Sequence, residues 1–134
     1  MEKVEVFYEG NLKVRVRNKS SGDLVMDLPR EMGGSDTAYS PTDLVGVILA
    51  GCVMITMDFM ARRKGINIAG SRVEVSKEMK DKPKRMVGSI SLEFFMPSGI
   101  EHAQRAALES AVGACPVHNS LSPEIEYKIK FNYA

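Results

Sequence analysis

The segment from Ser40 to Gly65 constrains this chain more than any other. Ser40-Pro41-Thr42-Asp43 reads as a helix start: an N-cap serine, proline at the first helical position and an acid at the third. Arg62-Arg63-Lys64-Gly65 reads as its end, with cations at the negative pole and glycine as the C-terminal cap. Between them Leu44, Val45, Val47, Ile48, Leu49, Val53, Ile55 and Met57 fall on every face of a 3.6-residue helix, not on one stripe. Such a helix has to be buried from most sides, so the rest of the chain must supply walls for it. Gly51 in its interior costs about 1 kcal/mol relative to alanine, which predicts close approach of another group there.

The walls are β-structure. Val4, Val6 and Tyr8 alternate with polar residues, Glu9-Gly10-Asn11 turns, and Leu12, Val14 and Val16 alternate again, which is the pattern of a hairpin. Leu24 to Leu28 gives a third short strand after the Ser20-Ser21-Gly22-Asp23 turn. Pro29 to Tyr39 has no apolar period and reads as a loop of functional or mobile kind. After the helix, Val73 to Met79 and Met86 to Met96 form a long hairpin across Asp81-Lys82-Pro83-Lys84. A second helix is expected from Ile100 to Val112, broken by Gly113, with a short helical turn restarting at Cys115-Pro116 and running to Leu121. Ile125, Tyr127, Ile129, Phe131 and Tyr133 then alternate as a closing strand. Helices segregated from antiparallel hairpins define an α+β fold. The central helix is more apolar than one small sheet can cover, so a homodimer in which the partner supplies the missing wall is expected.

With 134 residues and 44% hydrophobic content, one compact domain over residues 1–134 is expected. A net charge of +1 gives no electrostatic reason to expect nucleic acid or an anionic membrane as partner. Leu44 to Met57 is uncharged but too short to span a bilayer. Met1-Glu2-Lys3-Val4-Glu5-Val6 lacks the basic and apolar parts of a signal peptide, so a cytoplasmic location is expected.

In that compartment two cysteines seldom serve as a structural staple. Cys52 and Cys115 are either buried thiols acting as small hydrophobes or a redox pair. Cys52 sits within the apolar helix, where its surroundings raise a thiol pKa. Cys115 stands at a helix cap before Pro116, where free N–H groups favour a thiolate, and helix-end physics makes it the more reactive of the two. His118 and Cys115 amount to half a metal site; with His102 as the only other histidine, no zinc is expected. No glycine-rich phosphate loop or nucleophile elbow is present, and no cofactor is expected. Asp43 is a candidate acid or base as well as a helix cap. Arg30 enters the glycine loop before the central helix and is a candidate site residue on equal terms with a solvated one.

Pro29-Arg30-Glu31-Met32-Gly33-Gly34, Ser40-Pro41-Thr42-Asp43-Leu44 running to Ala50-Gly51-Cys52, and Ala114-Cys115-Pro116-Val117-His118-Asn119-Ser120-Leu121 together resemble the OsmC/Ohr family. That family comprises osmotically inducible protein C and the organic hydroperoxide resistance proteins, and the resemblance covers essentially the whole chain. It implies an intertwined homodimer with antiparallel sheets wrapped around two central helices and active sites at the subunit interface. It also implies a thiol peroxidase acting on organic hydroperoxides. Cys52 matches the attacking cysteine and Cys115 the resolving one, with Arg30 as the matching thiolate stabiliser and a dithiol such as a lipoylated protein as reductant. Family peroxidases carry a glutamate directly after the helix-starting proline. Here Thr42 holds that position, and Asp43 follows about 100° further round the helix. The alternative is a non-catalytic member that senses redox state or binds a small hydrophobic ligand.

Overall fold

A computed structural model of the chain describes residues 3–18 and 20–134; Met1 and Glu2, which open the segment read above for a signal peptide, lie outside the described residues. The chain forms two compact units, Met1–Leu44 and Val45–Ala134.

In the first unit β1 (Val6–Gly10), β2 (Lys13–Val16) and β3 (Leu24–Met26) make a three-stranded antiparallel sheet in that order. The loop that follows is ordered by a group the sequence pattern did not single out. Asp27 is 1% exposed, and one carboxylate oxygen accepts the N–H of Leu28 at 2.7 Å and of Ser35 at 3.3 Å. The other accepts the N–H of Thr37 at 3.1 Å and its hydroxyl at 2.8 Å. Burial alone would push this carboxyl up, but the Thr37 hydroxyl and the three N–H groups outweigh it and hold the pKa well below the carboxylate range. The loop is therefore wound around a buried anion. Gly34 is obligatory in it, because a Cβ there would run into the Leu28 backbone.

The second unit is built on α1 (Pro41–Arg63), whose first residues belong to the first unit. Its start is reciprocally capped: the Asp43 N–H donates to Ser40 Oγ at 3.1 Å, and the Ser40 N–H donates to Asp43 Oδ2 at 3.1 Å. Its end is a Schellman turn, with the Ile66 N–H donating to the Ala61 carbonyl and the Gly65 N–H to that of Arg62, Gly65 having φ +67°. Leu49, Val53, Met57 and Ala61 form one buried face, packed in a single core with Ile90, Leu92, Phe94 and Leu108. The opposite face differs from the expectation of burial on most sides: Ile48, Ile55 and Phe59 are 55, 64 and 66% exposed. The close approach expected at Gly51 is also elsewhere. Nothing in the chain lies within 4 Å of a Cβ built there, whereas one on Gly46 would come within 2.9 Å of Val75. By length and mean hydropathy, 2.2 over its most apolar window, α1 is able to cross a membrane, but the face it buries is packed against the chain's own sheet.

That sheet runs β4 (Arg72–Lys80), β5 (Met86–Met96), β6 (Glu126–Tyr133). β4 and β5 pair antiparallel, as expected, but β6 lies parallel to β5, so the sheet is mixed. The reason is the connection. α2 (His102–Glu109), α3 (Ala111–Ala114) and α4 (Pro116–Ser120) carry the chain back along the sheet before β6 begins, which is the crossover a parallel pair requires. The second helix breaks at Ser110 rather than at Gly113. Ser110 Oγ bonds the Ala107 carbonyl at 2.5 Å, and Gly113 lies within α3.

Asp27 sets a pH dependence. Its folded pKa is depressed, so its stabilising contribution is complete above the ordinary carboxyl pKa of about 4 and is lost as pH falls through the lower folded value. Asp27→Asn is expected to lower the urea midpoint at pH 7 and to flatten its fall below pH 4, both measurable by circular dichroism.

Candidate active site

The two thiols meet inside the second unit. Cys52 sits midway along α1, while Cys115 is the residue between α3 and α4 and the N-cap of α4, with Pro116 at the first helical position. Cys115 is fully buried and Cys52 half-buried; both are free thiols. The two thiols are near enough for each to shift the other's pKa. The sequence thus brings together Cys52 and Cys115 across the core, the one from a helix centre and the other from a helix start.

The surroundings separate the two chemically. The Cys52 thiol is held below its ordinary value, first by the hydrogen bond from Cys115 and then by the backbone N–H of Val117; burial opposes them, and the Thr56 hydroxyl adds a lowering smaller than the effect of burial. Cys115 is pushed up, first by burial and then by donating to Cys52, although the N–H groups of His118 and Val117 favour its anion. This reverses the order given by helix-end physics. The start of α4 does present its N–H groups to sulfur, but Cys115 makes no full capping bond to them and is shut off from water, while Cys52 shares the Val117 N–H and keeps solvent access. A buried S–H facing a half-exposed sulfur acts as donor, and the negative charge gathers on Cys52.

The other candidates are placed differently. Asp43 takes part in the cap of α1. It precedes Cys52 by nine residues, which is about 180° round a helix, so it projects from the opposite side. Thr42 shares a hydroxyl–hydroxyl bond of 3.2 Å with Ser40. Arg30 begins a short 3-10 turn, Arg30–Met32, and is exposed in the first unit. The His118 ring tilts against Tyr127 at 4.6 Å, with Nδ1 buried and unpartnered. Among the described residues no cluster of three or more His, Cys, Asp or Glu side chains is disposed to hold a metal. The contributors missed in the sequence are Thr56 and the N–H of Val117. Thr56 was legible as the residue four after Cys52, hence its neighbour on the helix.

The model of the family described as OsmC-like protein matches residues 33–130, which contain both thiols and the end of the loop before α1, but not Arg30. The chain belongs to the OsmC-like family. No curated protein matches it in sequence. Among solved structures, this OsmC-like chain is similar to a protein of Psychrobacter arcticus 273-4 described under osmotic stress induction and detoxification response. The TM-score is 0.91 at 28% identity, covering 98% of this chain and 96% of that one. The organic hydroperoxide resistance protein OsmC of Legionella pneumophila superposes at TM-score 0.76 with 18% identity and 98% of each chain covered. An organic hydroperoxide resistance protein of Vibrio cholerae, solved with captopril bound in one of its active sites, gives TM-score 0.75 at 20% identity, over 98% of this chain and 92% of that one. These two likenesses establish the shared α+β fold.

Iodoacetamide at pH 7 is expected to modify Cys52 well before Cys115, and the rate at Cys52 is expected to reach half its plateau below the ordinary thiol pKa of about 8.5. Site-resolved mass spectrometry across pH 6 to 10 reads both; earlier labelling of Cys115 would reverse the assignment.

Proposed function

We propose that the protein is a thiol peroxidase that reduces organic hydroperoxides. The observation that supports this reading is the sulfur pair: within an OsmC-like fold, a half-exposed Cys52 favoured as thiolate neighbours a buried Cys115 favoured as thiol. The Cys52 thiolate attacks the outer oxygen of ROOH; an S–O bond forms, the O–O bond breaks, and RO⁻ takes a proton from solvent to leave as the alcohol. Cys52 is then a sulfenic acid. Cys115 attacks its sulfur, water leaves, and a Cys52–Cys115 disulfide remains. An external dithiol, such as a lipoylated protein, gives two electrons and two protons to restore both thiols. The apolar residues flanking Cys52 on α1, Ile48, Leu49 and Ile55, suit an alkyl or fatty-acid hydroperoxide better than hydrogen peroxide. Arg30 is proposed as a thiolate stabiliser through its match to the family pattern, and Asp43 serves primarily as a cap.

The working form is proposed to be a cytoplasmic homodimer. Ile48, Ile55 and Phe59, with Gly51 among them, form an uncharged strip on the exposed side of α1, and the open space over Gly51 is room for a second backbone. A second reading, a redox sensor or hydrophobic ligand binder, is favoured by Thr42, which puts an uncharged hydroxyl where family peroxidases carry a glutamate.

With cumene or tert-butyl hydroperoxide and dithiothreitol, the wild type is expected to turn over and Cys52→Ser to fall to background. Cys115→Ser is expected to accumulate sulfenic acid, trapped by dimedone and seen by mass spectrometry. A peroxide-induced disulfide without turnover would favour the sensor. Sedimentation is expected to show a dimer for the wild type and a monomer for Phe59→Glu; a monomeric wild type would remove the dimer.

A further inference from the structure

The crossover that carries Cys115 has little apolar anchorage of its own: α2 buries Leu108, α3 buries Ala111, and α4 buries no residue. Its backbone before Cys115 is loosely bonded as well. The Ala114 N–H reaches the Ser110 carbonyl at 3.3 Å and the Cys115 N–H that of Val112 at 3.4 Å, both long for such bonds. Two tyrosines of β6, packed on the core side of the strand, grip the crossover instead. Tyr127 meets the His118 ring of α4 at 4.6 Å, and its hydroxyl donates to the Ser122 carbonyl at 3.4 Å. Tyr133 meets α2 in the same two ways. The Arg105 guanidinium lies over its ring, 4.2 Å from the centroid, and its hydroxyl donates to Glu109 Oε2 at 2.9 Å.

We propose that Tyr133 is a positioning residue for disulfide formation, fixing through Arg105 and Glu109 the crossover on which Cys115 approaches Cys52. This rests on the resolving role proposed for Cys115 and extends it to a grip at the far end of the crossover. Six residues of strand, about 20 Å, separate the two tyrosines, and Cys115 lies in the stretch of chain between their grips. The Tyr133 grip is the stronger. A hydroxyl on a carboxylate at 2.9 Å is charge-assisted, whereas 3.4 Å to a carbonyl is close to the limit of a bond. Burial and then Glu109 push the Tyr133 hydroxyl up, so it remains a donor at neutral pH. Arg105 Nε is buried with no hydrogen-bond partner, and the ring beneath supplies its electrostatic contact. Arg105 and Glu109 stand one turn apart on α2 and close on a single side chain, so α2 cannot slide or turn without breaking one contact. Ser110, the next residue, has its Oγ 3.6 Å from Met60 Sδ, which ties the same end of α2 to the helix that bears Cys52.

The test uses no peroxide. Reduced protein at pH 9 is treated with dithiobis(nitrobenzoate) in a stopped flow. Cys52 opens the reagent, releasing one thionitrobenzoate at a rate proportional to reagent and keeping the other as a mixed disulfide. Cys115 then attacks the Cys52 sulfur, its proton passes to solvent, the Cys52–Cys115 bond forms and the second thionitrobenzoate leaves at a rate independent of reagent. Tyr133→Phe removes the hydroxyl and keeps the ring; Glu109→Ala removes the acceptor, and Glu109→Gln keeps one. Tyr133→Phe and Glu109→Ala are each expected to slow the second release about tenfold and to leave the first unchanged, since misplacing a reacting group by about 1 Å costs up to about a hundredfold. Glu109→Gln is expected to stay close to wild type, and the double variant Tyr133→Phe/Glu109→Ala to be no slower than either single one. An unchanged second release in both single variants would overturn the proposal, and so would equal slowing of both releases, because the effect would then lie at Cys52. A wild type with no second release would overturn it too. Should Tyr133→Phe not fold by circular dichroism, Glu109→Ala and Arg105→Gln carry the same expectation. Failure of the peroxidase reading is seen separately, as absence of hydroperoxide turnover in a wild type that still closes its disulfide.

Discussion

The thiol pair depends on α1 being pressed against the sheet of β4, β5 and β6 along one face. Gly46 sets the distance: with no Cβ, it lets the helix backbone approach Val75 to where a side chain would press on it. Leu49, Val53, Met57 and Ala61 then enter the same core as Leu92 and Phe94, and Phe94 in turn stacks on Phe131 of β6 at 4.7 Å. Cys52 lies beside that buried face rather than in it. One sulfur therefore keeps contact with solvent while its neighbour, carried in from α4, does not.

Among the described residues, the effects that set the two sulfurs apart involve no carboxylate, lysine, arginine or imidazole side chain. The asymmetry comes from three ordinary differences: depth, the direction of one S–H bond, and a share in the N–H groups that open α4. Burial disfavours a charge on Cys115 and thereby makes it a donor; the donor in turn favours a charge on Cys52. The two effects reinforce each other, because moving the negative charge to Cys115 would reverse that hydrogen bond and bury the charge.

Much of this was legible in the residues, where the signal was local. Ser40-Pro41-Thr42-Asp43 and Gly65 marked the ends of α1 because capping depends on neighbours a few positions apart. The alternation in β5 and β6 identified their buried faces for the same reason. What failed was non-local. That β6 pairs parallel with β5 depends on the path of three intervening helices, which alternation does not record. The exposed strip on α1 and the close approach at Gly46 rather than Gly51 depend on which face meets the sheet, and a helix apolar all round carries no such information. Asp27 was passed over because its partners Ser35 and Thr37 are in a loop without periodicity. At the site, the pairing of Cys52 with Cys115 was suggested by family resemblance. Their order of reactivity was misjudged from helix-end physics alone because burial, a tertiary property, outweighs the cap.

The parallel placement of β6 also has a consequence for chemical timing. Cys115 lies on a crossover whose two ends are fixed in adjacent strands of one sheet, β5 before it and β6 after it. It is not delivered to its partner by a swinging loop. The second sulfur is already near enough to shift the first one's pKa, so its effective concentration is that of an intramolecular neighbour, far above any dissolved thiol. On the peroxidase reading proposed above, an oxidised Cys52 would meet the protein's own thiol before it meets another molecule's.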